Sequence, residues 1–425
     1  MAKVDKEPVA VTAREKYFTF MMHFRVALRM KDRLKIYLLL LFIYLAHNGL
    51  SQSVGDSLLT EVKVKDSLTF SGQASLWALI NQDETYPLWL GARYLPQVDF
   101  SRLQGKHKLD VELALNINGT TAINPFSEID FESSVKLYRS WIRYSTDQLE
   151  IRLGLQKINF GSASMLRPLM WFDRLDPRDP LQLTDGVWGL LGRYYFLNNA
   201  NIWLWGLYGN ERPSAWETVQ TNEKVPEFGG RLQMPVPRGE VAFTFHRRTA
   251  DVRNLGEVLQ IPWWNDSKVP EYKLGLDGKW DLITGLWFEA SFTHKGKGVG
   301  IFTNQHLLNL GADYTFGVGN GLNVTAEHLF ISQDEEAFEF NNNINFTGMS
   351  ANYPLGLNDN LSVILYYDWL RKNIYNFISW KKQMGSFELY TMIFLNPEEN
   401  ALPLSRDAYN LMGGKGIQLM IVYNH

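Results

Sequence analysis

A chain of 425 residues with a formal net charge of −3, no cysteine and 14% aromatic residues has no basic excess to suit nucleic acid. It also has no thiols for a disulfide scaffold, a thiolate metal site or a cysteine nucleophile. Its 14 Trp and 19 Tyr are abundant for a water-soluble protein and suit a surface where amphipathic rings are wanted.

In chain order, Met30 to Gln52 reads MKDRLKIYLLLLFIYLAHNGLSQ: a basic start, an apolar run from Ile36 to Ala46, then small residues. That is the layout of a secretory signal peptide cleaved near Ser51 and Gln52, and the run is only about half of the ~20 residues a spanning helix needs. A membrane anchor is the alternative. Residues 1–29 read as an N-terminal extension, because Met30 would itself start a well-formed signal. Residues 1–51 are therefore set apart, and 52–425 is expected to form one domain, with no linker dividing it.

Beyond Gln52 the recurrent pattern is alternation. Leu109, Val111, Leu113, Leu115 and Ile117 share one parity, with Asp110, Glu112 and Asn116 on the other. Leu149 to Leu155, Tyr272 to Trp280 and Leu322 to Ala326 behave the same way, and a period of two means strands with one oily and one wet face. Strands are predicted to begin near residues 66, 86, 105, 135, 148, 186, 200, 226, 239, 270, 285, 306, 321, 344, 361, 374, 387 and 415, about 18 in all (16–18). Short breaks at Asp147-Gln148, Asn198 to Ala200, Pro237 to Gly239, Leu282 to Thr284, Gly317 to Gly321 and Leu357 to Asn360 take turns with longer polar ones. The longer breaks fall near 119–134, 162–185, 211–224, 250–268, 296–305, 333–343 and 397–414.

Short turns at one end and long loops at the other indicate an all-β transmembrane barrel, antiparallel and up-and-down, with periplasmic turns and extracellular loops. A soluble sandwich or propeller also alternates. It does not explain why the apolar faces end in rings such as Tyr94, Tyr144, Trp188, Tyr194, Trp280 and Trp369, which interfacial girdles do.

The run GLQKINFG (Gly154 to Gly161), the following DPRDP (Asp176 to Pro180) and the return GVWGLLGRYYF (Gly186 to Phe196) resemble porin-like and alginate-export-type channels of Gram-negative bacteria. The likeness covers about 45 residues. The final GIQLMIVYNH resembles the assembly signal of such barrels but ends in His425 rather than an aromatic residue.

If the apolar parity faces lipid, the other lists a pore wall. From the second to the ninth strand it gives Arg93, Arg139, Arg143, Arg152, Arg193, Arg231 and Arg248 against Asp110, Glu112, Glu150, Glu227 and Glu240. From the tenth to the fifteenth it gives Lys273 and Lys279 against Glu271, Asp277, Glu289, Asp313, Glu327 and Asp368. A basic arc opposite an acidic one sets a field across the lumen. Arg139, Arg143, Arg152 and Arg193 are read as a ladder suited to carboxylates, phosphates or anionic sugars. Mutual neutralisation with neighbouring carboxylates is the plainer reading.

WFDRLDPRDPLQLTDG (Trp171 to Gly186) is expected to be the constriction loop, with Asp173, Arg174, Asp176, Arg178 and Asp179 paired among themselves. Calcium is the alternative for its aspartates, but the spacing is not that of an EF-hand.

Nothing in the sequence matches a zinc protease, a nucleophile elbow or a P-loop. His328 on the apolar parity carries the one enzymatic reading, a lipid hydrolase, for which no serine stands in register. The sequence thus predicts a non-enzymatic outer-membrane channel passing small hydrophilic, including anionic, solutes by diffusion, with no cofactor and no metal. The alternative is a barrel scaffold for secretion or polysaccharide export. The expected partners are membrane lipid, small solutes and, in a homo-oligomer, further copies of the chain.

Overall fold

In the computed structural model of the protein, residues 64–82, 86–124, 129–253, 268–397 and 412–425 are described. The signal and the N-terminal extension lie outside them. The described residues fall in one compact unit, Val62–His425.

The strands are β1 (Val64–Asn81), β2 (Leu88–Gln104), β3 (His107–Ile123), β4 (Ile129–Ser145), β5 (Leu149–Gln156), β6 (Val187–Tyr195), β7 (Asn201–Leu207), β8 (Gln220–Thr221), β9 (Glu227–Val236) and β10 (Gly239–Asp251). They continue as β11 (Lys268–Asp281), β12 (Gly285–Lys295), β13 (Asn304–Phe316), β14 (Leu322–Asp334), β15 (Asn343–Pro354), β16 (Asp359–Asp368), β17 (Asn373–Met384), β18 (Phe387–Leu395) and β19 (Lys415–Asn424). Apart from the two-residue β8, which pairs with the end of β10, each strand bonds antiparallel to its sequence neighbours, β7 reaching β9 directly. β1 pairs with both β2 and β19, which closes an 18-stranded barrel. Closure leaves no unpaired edge for hydrocarbon to strip of water.

Parity holds around the wall. Phe70, Leu204 and Leu310 point outward and are 62%, 63% and 55% exposed, whereas Asn309 and Glu327 on inward positions are 0% and 1% exposed. The exterior is therefore an apolar band; the rings of Tyr144, Trp188, Tyr194, Trp280 and Trp369 lie on its outward parity near the strand ends, whereas Tyr94 shares the parity in the middle of β2. Inside, large rings lie over glycines directly opposite them. Trp77 covers Gly91 and Trp287 covers Gly311, where a Cβ would come within 2.0 and 2.2 Å of the indole. Such pairs fix register, because a one-residue slip would turn each ring into lipid.

The sequence placed the start of β4 near 135 and a break over 119–134; the structure corrects both, with β3 running to Ile123 and β4 beginning at Ile129. The register shift between Ala114 and Leu115 leaves Tyr138 unopposed on β4. This bulge switches the inward parity from Ser134 and Lys136 to Arg139, Trp141 and Arg143, so no single period of two runs through the strand.

The chain's end seals the seam. His425 and Gly72 exchange backbone hydrogen bonds of 3.0 Å. The His425 ring is 3.1 Å from the Tyr94 hydroxyl and stacks on Tyr423, so the histidine occupies the outward place of an aromatic residue.

Candidate pore and its constriction

The connection between β5 and β6, residues 157–186, enters the barrel. Gly161 starts the turn with a φ of +103°, and a Cβ there would meet the Glu289 carboxylate at 2.3 Å. Only a glycine permits that approach. Glu289 then accepts the backbone N–H groups of Ala163 and Leu169 at 2.7 and 3.1 Å. Glu327 accepts those of Ser164, Met165 and Leu166 at 2.6, 3.1 and 2.6 Å, together with the Ser164 hydroxyl, the Trp287 indole and the Asn309 amide. Asn309 also donates to the Leu166 carbonyl at 2.7 Å. Buried backbone groups in a turn without regular structure need such partners, and ionised acceptors make strong ones.

Apolar contacts continue across the lumen. Ile158, Phe160, Trp171 and Phe172 pack on Leu191, Trp205 and Leu207 of β6 and β7. Met165, Leu166 and Met170 join a cluster with Leu79, Trp89, Phe346, Tyr366 and Phe377. Leu181 meets β18 and β19 at Tyr390, Met392, Met420 and Val422. One loop thus touches walls on several sides of the barrel.

The loop's charges pair within it. Arg178 holds Asp176 through Nε at 2.8 and 3.1 Å and Nη2 at 2.6 Å. Asp173 lies 3.3 Å from Arg167. Asp179 caps the turn by accepting from the N–H groups of Leu181 and Leu183. Burial pushes the carboxyls of both Asp173 and Asp179 up, against the pull of Arg167 and Lys157 on the first and of those two N–H groups on the second. Arg174 uses its backbone N–H on Thr184 and leaves its side chain exposed. Among the described residues no cluster of three or more His, Asp or Glu is arranged to hold a metal ion.

A second loop, 208–226, also turns inward. Its Trp216 indole donates to the Arg167 carbonyl at 2.6 Å, so the two loops brace each other. Sequence reasoning treated 211–224 as an ordinary polar break. Ala215-Trp216, an apolar pair inside a polar stretch, was the available clue.

Of the wall residues singled out by parity, Arg143, Arg152 and Arg193 converge. All three guanidiniums lie within 3.1 to 3.8 Å of one carboxylate, Glu150. Arg143 also binds Asp110 at 2.7 Å. Arg152 lies 4.6 Å over Trp141 and Arg193 3.8 Å over Trp203, and these ring faces hold the guanidinium planes in place. Glu112 faces the same group from β3, within electrostatic reach of Arg139, Arg143 and Arg152. Arg139 stands apart: it stacks at 4.0 Å on Tyr138 and donates to the Thr184 carbonyl at 2.9 Å, anchoring the return of the loop. Arg93 lies within electrostatic reach of Asp179.

The opposite wall departs from the expected acidic arc facing water. Glu289 and Glu327 face loop backbone, and Asp277 is bound by Arg231 through two bonds of 2.6 and 2.9 Å. Arg248 is buried against Glu271 at 2.6 and 3.0 Å. Asp313 packs across Gly285 near the short-turn rim. His328 lies on the outer wall, its Nδ1 2.9 Å from the Thr347 hydroxyl, which also accepts from the Trp369 indole.

Fold and interior together define a closed transmembrane β-barrel with an inserted loop. No family model and no curated protein sequence matches the chain. Among solved structures it is similar to OccAB4 of Acinetobacter baumannii, with a TM-score of 0.50 and 10% identity over 85% of this chain and 98% of that one. It is also similar to OmpF of Salmonella typhi in complex with daunomycin (0.45, 11% identity, 84% and 97% covered) and to an anion-selective porin from Comamonas acidovorans (0.44, 13% identity, 85% and 100% covered). The likeness to OccAB4 is one of fold.

Proposed function

We propose that this protein is an outer-membrane channel through which small hydrophilic solutes cross by diffusion, with a preference for anions. A closed barrel with an apolar exterior suits that membrane, and long loops on one rim with short turns on the other suit its two sides. The observation that carries the solute reading is the set of three guanidiniums on β4, β5 and β6 around the single carboxylate of Glu150. Asp110 shares Arg143 and Glu112 faces the group, so what the cluster offers a passing oxyanion is spare donors, the Nε groups of Arg152 and Arg193 having no hydrogen-bond partner among the described residues. The guanidinium fork binds planar carboxylates and phosphates through paired bonds. The loop 157–186 sets the size limit.

Diffusion needs none of the machinery of covalent catalysis, and His328, whose neighbour Thr347 is itself a hydrogen-bond acceptor from Trp369, is assigned a place in the outer wall. The alternative, a barrel scaffold for an export assembly, would be favoured by stoichiometric subunits that co-purify with the barrel. Purified protein in planar bilayers is expected to give discrete conductance steps. Folded protein that leaves bilayers silent would refute the channel.

A further inference from the structure

Strands β10, β11 and β12 bring three cations together inside the barrel: Arg248, Lys273 and Lys295, 1%, 3% and 4% exposed. The wall supplies two carboxylates to them. Glu271 holds Arg248 and lies 3.5 Å from Lys295. Glu227 acts on Arg248 from farther off and is itself bonded to His246 at 3.2 Å and Asn210 at 3.5 Å. The wall is therefore one negative charge short, and a buried unpaired cation is expensive.

The missing charge comes from the inserted loop. Glu217 is hydrogen-bonded to Lys273, lies 3.2 Å from Arg248 Nη1 and accepts from the Ser214 N–H at 2.7 Å. Burial works to raise its carboxyl, but Arg248 and Lys273 outweigh burial and hold it below the ordinary range, so it stays ionised. The return limb of the loop is fixed independently: β8 pairs with β10, and Arg248 binds the Thr221 hydroxyl at 2.7 Å. The outbound limb is held by Glu217 and by two bonds of Trp216, one to the Arg167 carbonyl and one from Gln305 at 3.2 Å. Beside the Glu217 carboxylate lies a small cavity walled by Trp171, Thr293, Gln305 and Gln333 together with Lys273 and Lys295. Ring faces and neutral donors next to two cations suit a hydroxylated chain that carries a carboxylate.

We propose that Arg248, Lys273 and Lys295 form a binding site for the carboxylate of a small hydroxylated acid, and that Glu217 is the loop's internal stand-in for it. An arriving carboxylate takes over the contacts to Lys273 and Arg248, and the Glu217 side chain swings off the wall. Delivery of the solute rests on the channel reading given above; binding does not.

The test is calorimetric titration of the detergent-folded barrel with sodium gluconate, with glucose as the neutral probe. Replacing Glu217→Gln removes the competing charge and keeps the shape. It is expected to tighten gluconate binding at least tenfold, leaving glucose unchanged. The double variant Glu217→Gln with Lys273→Gln is expected to lose that gain. Glu217→Asp, which keeps the charge on a shorter arm, covers the case in which the amide variant misfolds: it is expected to bind gluconate more tightly than the unaltered protein. Equal gluconate affinity in the unaltered protein and the Glu217 variants overturns the proposal, as does a gain that survives loss of Lys273 or extends to glucose. A barrel that binds gluconate but does not conduct refutes the channel alone. One that conducts with no change at Glu217 refutes this site alone.

Discussion

Glu150 and Glu327 both point into the barrel from strands of the same sheet, yet their surroundings are opposed. Glu150 faces three guanidiniums from its own strand and the two beside it, whereas Glu327 receives hydrogen bonds from three backbone N–H groups, a hydroxyl, an indole and an amide. The first leaves guanidinium donors, Nε of Arg152 and of Arg193, for a solute. The second is consumed in fixing a loop. Inward parity alone does not separate a pore-lining group from a structural clamp; what fills the lumen opposite each residue does.

The sharpest way to break this contrast is to remove a clamp. Glu327→Ala strands several buried donors, each worth about 1–3 kcal/mol when left unpaired. It is expected to release residues 163–169 and to raise single-channel conductance several-fold, with a lower unfolding temperature. Gly161→Ala is the next largest: a Cβ within 2.3 Å of the Glu289 carboxylate and a strained φ are expected to loosen the same loop by about 1–3 kcal/mol. Faster proteolysis of the loop than in the unaltered barrel would register it.

Acidification should act in the opposite direction and more gently. Asp173 and Asp179 have carboxyls raised above the ordinary 3.8 in the docked loop, so the docked state binds protons more tightly than the free one. Docking therefore strengthens as pH falls through the raised values toward 3.8, and weakens as pH rises through them. Conductance is expected to fall on acidification, less so in Asp173→Asn and Asp179→Asn. The smallest effect belongs to the outer wall: His328→Ala removes one exposed hydrogen bond to Thr347 and is expected to leave both conductance and lipid turnover unchanged.

Much of the fold was legible because a barrel strand writes its two faces alternately into the sequence. The strands at Gly239, Gly285, Phe387 and Lys415 begin where alternation and turns placed them. β4 did not, since its bulge at Tyr138 breaks the alternation. The inward arginines were legible by parity, and the convergence of Arg143, Arg152 and Arg193 follows from their adjacent strands. Arg139 could not be separated from them, because its partner is the Thr184 carbonyl. Backbone groups carry no letter in a sequence. The same limit hid the roles of Glu289 and Glu327, and it hid the entry of loop 208–226, whose contacts join positions far apart in the chain.

The central contrast is tested most directly by the zero-current potential across a bilayer holding the protein in a tenfold KCl gradient. The unaltered channel is expected to favour chloride, Glu150→Gln to favour it more, and joint replacement of Arg143, Arg152 and Arg193 by Gln to abolish the preference. Cation selectivity in the unaltered protein, or an anion preference that survives loss of all three arginines, would contradict the account.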